Sequence, residues 1–336
     1  MVVSRRCLGA VLLASSTATI GCSGLLGLDE FTGGADGSTV GSGGSPAGIG
    51  GSGGSGGSTP TGTVSTGGEG GGLSSWTEPR VVESISAEGV DDDDPSFTED
   101  GLELYFNSER NPGTFGDIYV STREQGTDSW GPPAYVAELN TVAHETNVVV
   151  SPKGVDIWFS RDTAGTTYEI WTSTRADRAD PWGTPERVVE LNSSNSTFPC
   201  AVNEDALTMV YSTGASAQSL WFATRPGVGA AWATQGQISE LNDAGINKEA
   251  WLSPDGLRIY FGSDRGMAPT FDIYQSRRES INVPFAVPVP LGAMFNTGDS
   301  EGDPWLSPEL DYIMFSRGAN QDRDIWEASR NPGAEP

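Results

Sequence analysis

From about residue 92 to residue 330 the apolar positions fall in short alternating runs separated by turn residues, and no stretch keeps a 3.6-residue period for three turns without Gly or Pro. The runs predict strands, and they recur. In each copy a first run ends on an apolar residue, the column Phe97, Val150, Val202, Leu252 and Leu306, with polar residues clustered on the other face. A turn follows, for example Glu99-Asp100-Gly101, Pro152-Lys153-Gly154 and Pro254-Asp255-Gly256, where Pro presets φ and Gly takes the positive φ that closes a hairpin. The second run closes on an aromatic at Phe106, Phe159, Tyr211, Phe261 and Phe315, in steps of 53, 52, 50 and 54 residues. The third opens at Asp117-Ile118, Glu169-Ile170, Ser219-Leu220, Asp272-Ile273 and Asp324-Ile325, in steps of 52, 50, 53 and 52. A period near 50 with several strands per period predicts a propeller rather than a solenoid.

A fourth strand is predicted around Trp130 to Leu139, with its Trp marker repeated at Trp182, Trp232 and, as Phe, at Phe285. The fifth copy lacks it, and the segment before the first copy supplies it. Trp76-Thr77-Glu78-Pro79 carries Ile85 nine residues after the Trp, as Leu139 follows Trp130, Leu191 follows Trp182 and Leu241 follows Trp232. The pattern therefore predicts an all-β chain whose residues 73–331 form a five-bladed β-propeller of four-stranded antiparallel blades. An N-terminal strand completes the last blade and leaves no open sheet edge; residues 332–336 are a tail.

The N-terminal 72 residues read differently. Arg5 and Arg6, an apolar run from Leu8 to Ala14 and small residues to Gly21 predict a signal peptide over residues 1–21, not a membrane span. Thr19-Ile20-Gly21-Cys22 is similar to the bacterial lipobox, in which a small residue precedes a Cys that is lipidated and becomes the new N-terminus. Thr19 stands where that motif usually has Leu. Cys22 is thus the expected lipidation site, with residues 22–31 as the lipidated N-terminus. Residues 32–72 are Gly, Ser and Thr with almost no large apolar side chain, a composition that cannot offset the entropy of ordering. Such a linker reaches on the order of 35 Å, and the expected location is the bacterial cell envelope, at its outer membrane.

Composition narrows the partners. Nineteen Lys and Arg against 45 Asp and Glu give a net charge of −26, which disfavours nucleic acid and anionic membrane surfaces. Contact with a membrane is expected only through the lipid, and the partner is expected to be an envelope protein or a basic peptide met by a monomer. Cys200 falls in a predicted strand and reads as a buried small apolar residue.

The run Trp251-Leu252-Ser253-Pro254-Asp255-Gly256-Leu257-Arg258-Ile259-Tyr260-Phe261, followed by Asp272-Ile273-Tyr274, resembles the WD40-like repeats of the TolB-type β-propeller family. Trp305-Leu306-Ser307-Pro308 with Asp324-Ile325-Trp326 is similar, and the resemblance covers five repeats. It implies a fold shared by binding proteins, scaffolds and peptidase lid domains. TolB itself resembles a six-repeat propeller behind an α/β domain, so its partners are not implied for a five-repeat chain.

Chemistry-bearing residues are few. His144 is the sole His, no Cys and His spacing suits zinc, and no Gly-rich loop joins a strand to a helix. Acids, however, form columns at the start of the first strand: Asp92, Glu145, Thr197, Asn247 and Glu301, and two residues later Asp94, Asn147, Pro199, Glu249 and Asp303. By alternation both columns share one face, at the rim of the central channel. Arg110, Arg161, Arg265 and Arg317 emerge on the same side, and the third copy loses acids and Arg together, so the charges serve one another. Asp92, Asp94, Glu145, Glu301 and Asp303 are the candidate cation- or partner-binding rim. Asp92, Asp94, Glu301 and Asp303 are the candidate ligands of a Ca²⁺ ion, the one cofactor the sequence suggests. The chain reads as a binding or scaffold module without catalytic activity; the alternative is a glycan-active hydrolase using the rim carboxylates.

Overall fold

The computed structural model describes residues 76–330 apart from 112–114, 127, 164, 166, 216, 243–244, 267–269 and 320–321. The signal segment, Cys22, the linker and the tail lie outside the described residues. Among the described residues there is no helix, and twenty strands form five four-stranded antiparallel sheets.

Blade 1 runs outward from the axis as β2 (Asp92–Phe97), β3 (Glu103–Ser108), β4 (Asp117–Thr122) and β5 (Ala134–Tyr135). Blade 2 is β6 (Glu145–Val150), β7 (Asp156–Asp162), β8 (Tyr168–Thr174) and β9 (Glu186–Arg187), and blade 3 is β10 (Thr197–Val202), β11 (Thr208–Thr213), β12 (Ser219–Thr224) and β13 (Ala233–Gln237). Blade 4 is β14 (Asn247–Leu252), β15 (Arg258–Ser263), β16 (Asp272–Arg277) and β17 (Val289–Pro290). Blade 5 joins β18 (Ser300–Leu306), β19 (Tyr312–Ala319) and β20 (Asp322–Ser329) to the N-terminal β1 (Arg80–Val81), with Arg80 opposite Glu327 and Trp76 bridging Arg330. Each inner strand packs against those of both neighbouring blades, β18 against β2 included, so the ring closes as the sequence pattern requires.

The outer strands are shorter than predicted. In blade 1 the regular ladder with β4 is limited to Ala134 and Tyr135, flanked by single bonds from Gly131 and Val136, because Pro132 and Pro133 have no N–H to donate. The marker aromatic serves packing instead. Trp76, Trp130, Trp182, Trp232 and Phe285 are all buried, each beneath a guanidinium: Arg330, Arg123, Arg175, Arg225 and Arg278 lie 4.1 to 4.7 Å from the ring centroids. Each of these arginines also donates from Nε to the carbonyl of the hairpin residue that has positive φ: Gly101, Gly154, Ala206, Gly256 and Leu310. Hairpin, third strand and outer strand are locked by one side chain in every blade.

Candidate functional site

The acids at the head of the inner strands divide into two groups, and a β-bulge is the cause. Register between first and second strands slips between Asp93 and Ser96, Thr146 and Val149, Lys248 and Trp251, and Gly302 and Trp305. At the slip Asp94, Asn147, Glu249 and Asp303 take φ of 55°, 51°, 53° and 52°. The left-handed region is costly for most side chains but tolerated by Asp and Asn, and a bulge redirects the residue it holds. Blade 3 has Pro199 here, whose ring forbids positive φ, and its register shift lies between Pro199 and Ala201. The expectation that both columns share one strand face is therefore corrected: simple alternation fails where the strand gains a residue.

The first column forms clamps. Asp92, Glu145 and Glu301 are fully buried, and each meets the arginine of its own blade: Arg110 at 2.7 Å, Arg161 at 2.6 Å and Arg317 at 3.1 Å. The same guanidinium donates to the carbonyl of Ile85, Leu139 or Phe295, at the exit of the preceding outer strand, and lies over the aromatics Tyr119, Trp171 or Trp326. Thr141 and Thr297 donate to Glu145 and Glu301 from both hydroxyl and backbone N–H, and the Ala87 N–H donates to Asp92. In blade 4 Arg265 makes the clamp with neutral Asn247, and in blade 3 Thr197 and Thr213 meet hydroxyl to hydroxyl at 3.2 Å.

The second column faces the axis. Asp94, Asn147, Pro199, Glu249 and Asp303, one from each blade, line a single cavity of about 20 Å³. Asp94 accepts from Thr146 Oγ1 (2.8 Å), Asn147 N (2.7 Å) and Asn147 Nδ2 (3.1 Å), tying blade 1 to blade 2. Burial first, and then the charges of Asp303 and Asp93, push its carboxyl well above the usual carboxylate range. Asp303 Oδ1 is buried there without a hydrogen-bond partner among the described residues. Asp303 Oδ2 accepts from Ser316 Oγ. Burial, opposed by Arg323 and reinforced by Asp91 and Glu249, raises Asp93 to about 6. Glu249 is raised by burial and by Asp303, against the pull of Lys248.

Two basic groups hold this cluster. Arg323, on β20, pairs with Asp93, reaches Asp91 from Nε at 3.4 Å and lies 3.9 Å from Asp303; Lys248 pairs with Glu249. The surplus acids at the junction of blades 5 and 1 thus gather on Arg323, a residue the repeat pattern does not single out. Its column reads Gly116, Tyr168, Gln218, Phe271 and Arg323, and that of Lys248 reads Asp93, Thr146, Phe198, Lys248 and Gly302. A basic residue occurring once in a repeat column was the available signal.

The rim set is accordingly not one site. Asp92, Glu145 and Glu301 are held in clamps, while Asp94 and Asp303 meet at the axis. Among the described residues no cluster of three or more acids, His or Cys has metal-holding geometry. Arg323 and Lys248 supply positive charge there. His144 sits between blades 1 and 2 with Nδ1 2.7 Å from the Tyr168 hydroxyl, and burial lowers its pKa.

No family profile matches the chain, and no curated protein does. Solved structures share the propeller. Endo-arabinase from Bacteroides thetaiotaomicron is 11% identical over 74% of this chain and 95% of that one, with a TM-score of 0.51. A protein of unknown function from Dyadobacter fermentans is 11% identical over 76% of this chain and all of that one, at 0.50. TolB from Acinetobacter baumannii is 14% identical over 72% of this chain, at 0.43, and this chain spans about half of that protein (55%). At these identities the likeness is one of fold.

Proposed function

We propose that this chain is a non-catalytic binding or scaffold module of the bacterial cell envelope, a TolB-like propeller tethered through a lipidated Cys22 and meeting an envelope protein or a basic peptide. The observation that supports it is how the inner-strand acids are used. Three are closed by arginine clamps, Asp93 pairs with Arg323, and Asp94, Glu249 and Asp303 face a cavity of about 20 Å³, room for a water but not for a sugar ring. A glycosidase needs two carboxyl groups separated across a bound sugar, one of them a proton donor. Asp94 has the raised pKa of an acid, but it lies against Asp303 and Asn147 rather than across an open cleft. The acid surplus of the whole chain favours a basic partner.

Expression in a bacterial host with detergent phase partition tests the tether. The wild type should enter the detergent phase and Cys22→Ser the aqueous phase; equal partition removes the lipid anchor. Release of reducing sugar from arabinan or another glycan, abolished by Asp94→Asn, would replace the binding reading with the hydrolase.

A further inference from the structure

The larger cavity lies at the other mouth of the channel, where the hairpins between first and second strands converge. It measures about 280 Å³, more than ten times the volume at the axis. Its floor is the apolar column that ends the inner strands, Phe97, Val202, Leu252 and Leu306, joined by Trp251 and Trp305. Its rim is made by turn residues that differ between copies. The second turn position reads Glu99, Pro152, Glu204, Pro254 and Pro308, and blade 5 adds Glu309 from the third position. Glu99, Glu204 and Glu309 are exposed, and none has an ion-pair partner among the described residues. The acids one position along or nearby are engaged otherwise: Asp100 pairs with Arg178, and Glu103 with Arg175 and Arg178. The five turns contain one basic residue, Lys153.

Apolar lining with a few polar groups at the rim is the build of a ligand pocket, and this one is of a size to take one or two side chains. The framework arginines beneath the hairpins are the same in all five blades, so the closing of the turns does not need these glutamates. We propose that this mouth is a peptide-binding site, which takes an aliphatic or aromatic side chain flanked by Arg or Lys from a partner protein. The apolar residue enters between Trp251 and Trp305, and the flanking cations meet Glu99, Glu204 and Glu309. This deepens the binding-module reading by naming the partner's chemistry and placing it at the opposite end from the buried acids.

The probe is the capped peptide Ac-Arg-Arg-Leu-Phe-Arg-Arg-NH2, titrated into the ¹⁵N-labelled propeller and followed by the indole N–H resonances of Trp251 and Trp305. Two controls replace all its arginines by glutamate, or Leu-Phe by Gly-Gly. The parent peptide should shift both indoles saturably, and both controls should leave them unmoved. Glu99→Gln, Glu204→Gln and Glu309→Gln combined should weaken binding on the order of tenfold, since exposed charge pairs each contribute little. These side chains are exposed, so the variant should melt with the wild type. A second variant, Val202→Phe, narrows the floor and should weaken the parent peptide at unchanged charge. Equal binding of the Gly-Gly peptide would mark attraction to an acidic protein without a pocket and overturn the proposal, as would no saturable shift at millimolar peptide, or binding indifferent to both variants. An envelope partner captured by the wild type and equally by the triple variant would overturn this site and leave the binding-module reading standing.

Discussion

Asp94 shows what a single backbone dihedral decides. At φ 55° its side chain leaves the sheet and enters the axis, where it meets Asp303, while Asp92, two residues earlier, is drawn to Arg110. Asp93, Asp94 and Glu249 all have carboxyl groups raised by burial, so the folded state holds protons that the unfolded chain releases. A raised pKa contributes stability that is complete below the unfolded value and disappears as pH rises through the folded one, here about 6 for Asp93. The melting temperature should therefore rise as pH falls from about 7 to about 5. His144 works in the opposite sense, since its lowered pKa costs stability once the imidazole is protonated, but it is one group against several carboxylates. Asp94→Asn keeps an acceptor for Thr146 and the Asn147 N–H and removes the proton uptake that burying this carboxyl requires on folding. It should melt a few degrees higher at neutral pH and show a shallower pH dependence. An unchanged slope would mean that the pH response belongs to general charge repulsion in this acidic domain rather than to the axis.

At the scale of the element the repeat is held by arginine more than by hairpin chemistry. The hairpin position of positive φ is Gly in blades 1, 2 and 4 but Ala206 in blade 3 and Leu310 in blade 5, at φ 55° and 59°. The conformation persists without Gly because Arg225 and Arg330 fix the carbonyls of those residues, as Arg123, Arg175 and Arg278 do in the others. Arg175 shows the load on one such side chain. It donates to Gly154 O (2.7 Å), Arg178 O (2.8 Å) and Glu103 Oε2 (2.6 Å), and lies 4.3 Å from the Trp182 ring centroid. A lysine has one nitrogen and no plane to stack, so Arg175→Lys should destabilise by about 2 kcal/mol, read from chemical denaturation. A loss no larger than that of an exposed Arg→Lys control, such as Arg80→Lys, would show that the stack and the fork add little.

For the whole molecule the decisive contact joins the two ends of the ring. Val82 N donates to Ile325 O at 2.8 Å, Thr77 N to Ser329 O at 2.8 Å, and Trp76 meets Phe295 edge to face at 5.7 Å and lies under Arg330. Deleting residues 75–86 would leave β20 as an open edge and remove the Ile85 carbonyl that Arg110 uses. Loss of the Trp76 and Ile85 side chains alone costs about 1.5 to 3 kcal/mol each. The truncated propeller should melt well below the intact one and tend to associate through the exposed strand. Melting at the intact temperature would mean that blade 5 holds without its N-terminal strand.

The sequence by itself determined the period, the strands, the five-blade count and the N-terminal closure, because each rests on alternation, turn residues and marker aromatics that recur at fixed spacing. It also contained the column Arg123, Arg175, Arg225, Arg278 and Arg330, although spacing alone does not tell which carbonyl or ring a guanidinium meets. The pairing of Asp92, Glu145 and Glu301 with arginine was legible for the same reason as the strands: acids and arginines vanish together in blade 3. What only the tertiary structure decided arises where copies differ or meet. The bulge that separates Asp94 from Asp92 adds a residue without leaving a composition mark. Arg323 and Lys248 occur once each; Lys248 pairs with its neighbour Glu249, but the partners of Arg323 lie across a blade boundary, Asp91 being 232 residues away. The cavity ringed by Glu99, Glu204 and Glu309 exists only because closing the ring brings three separate turns to one mouth. A repeat encodes what each blade does alone; charges and cavities shared between blades are set by the closed ring.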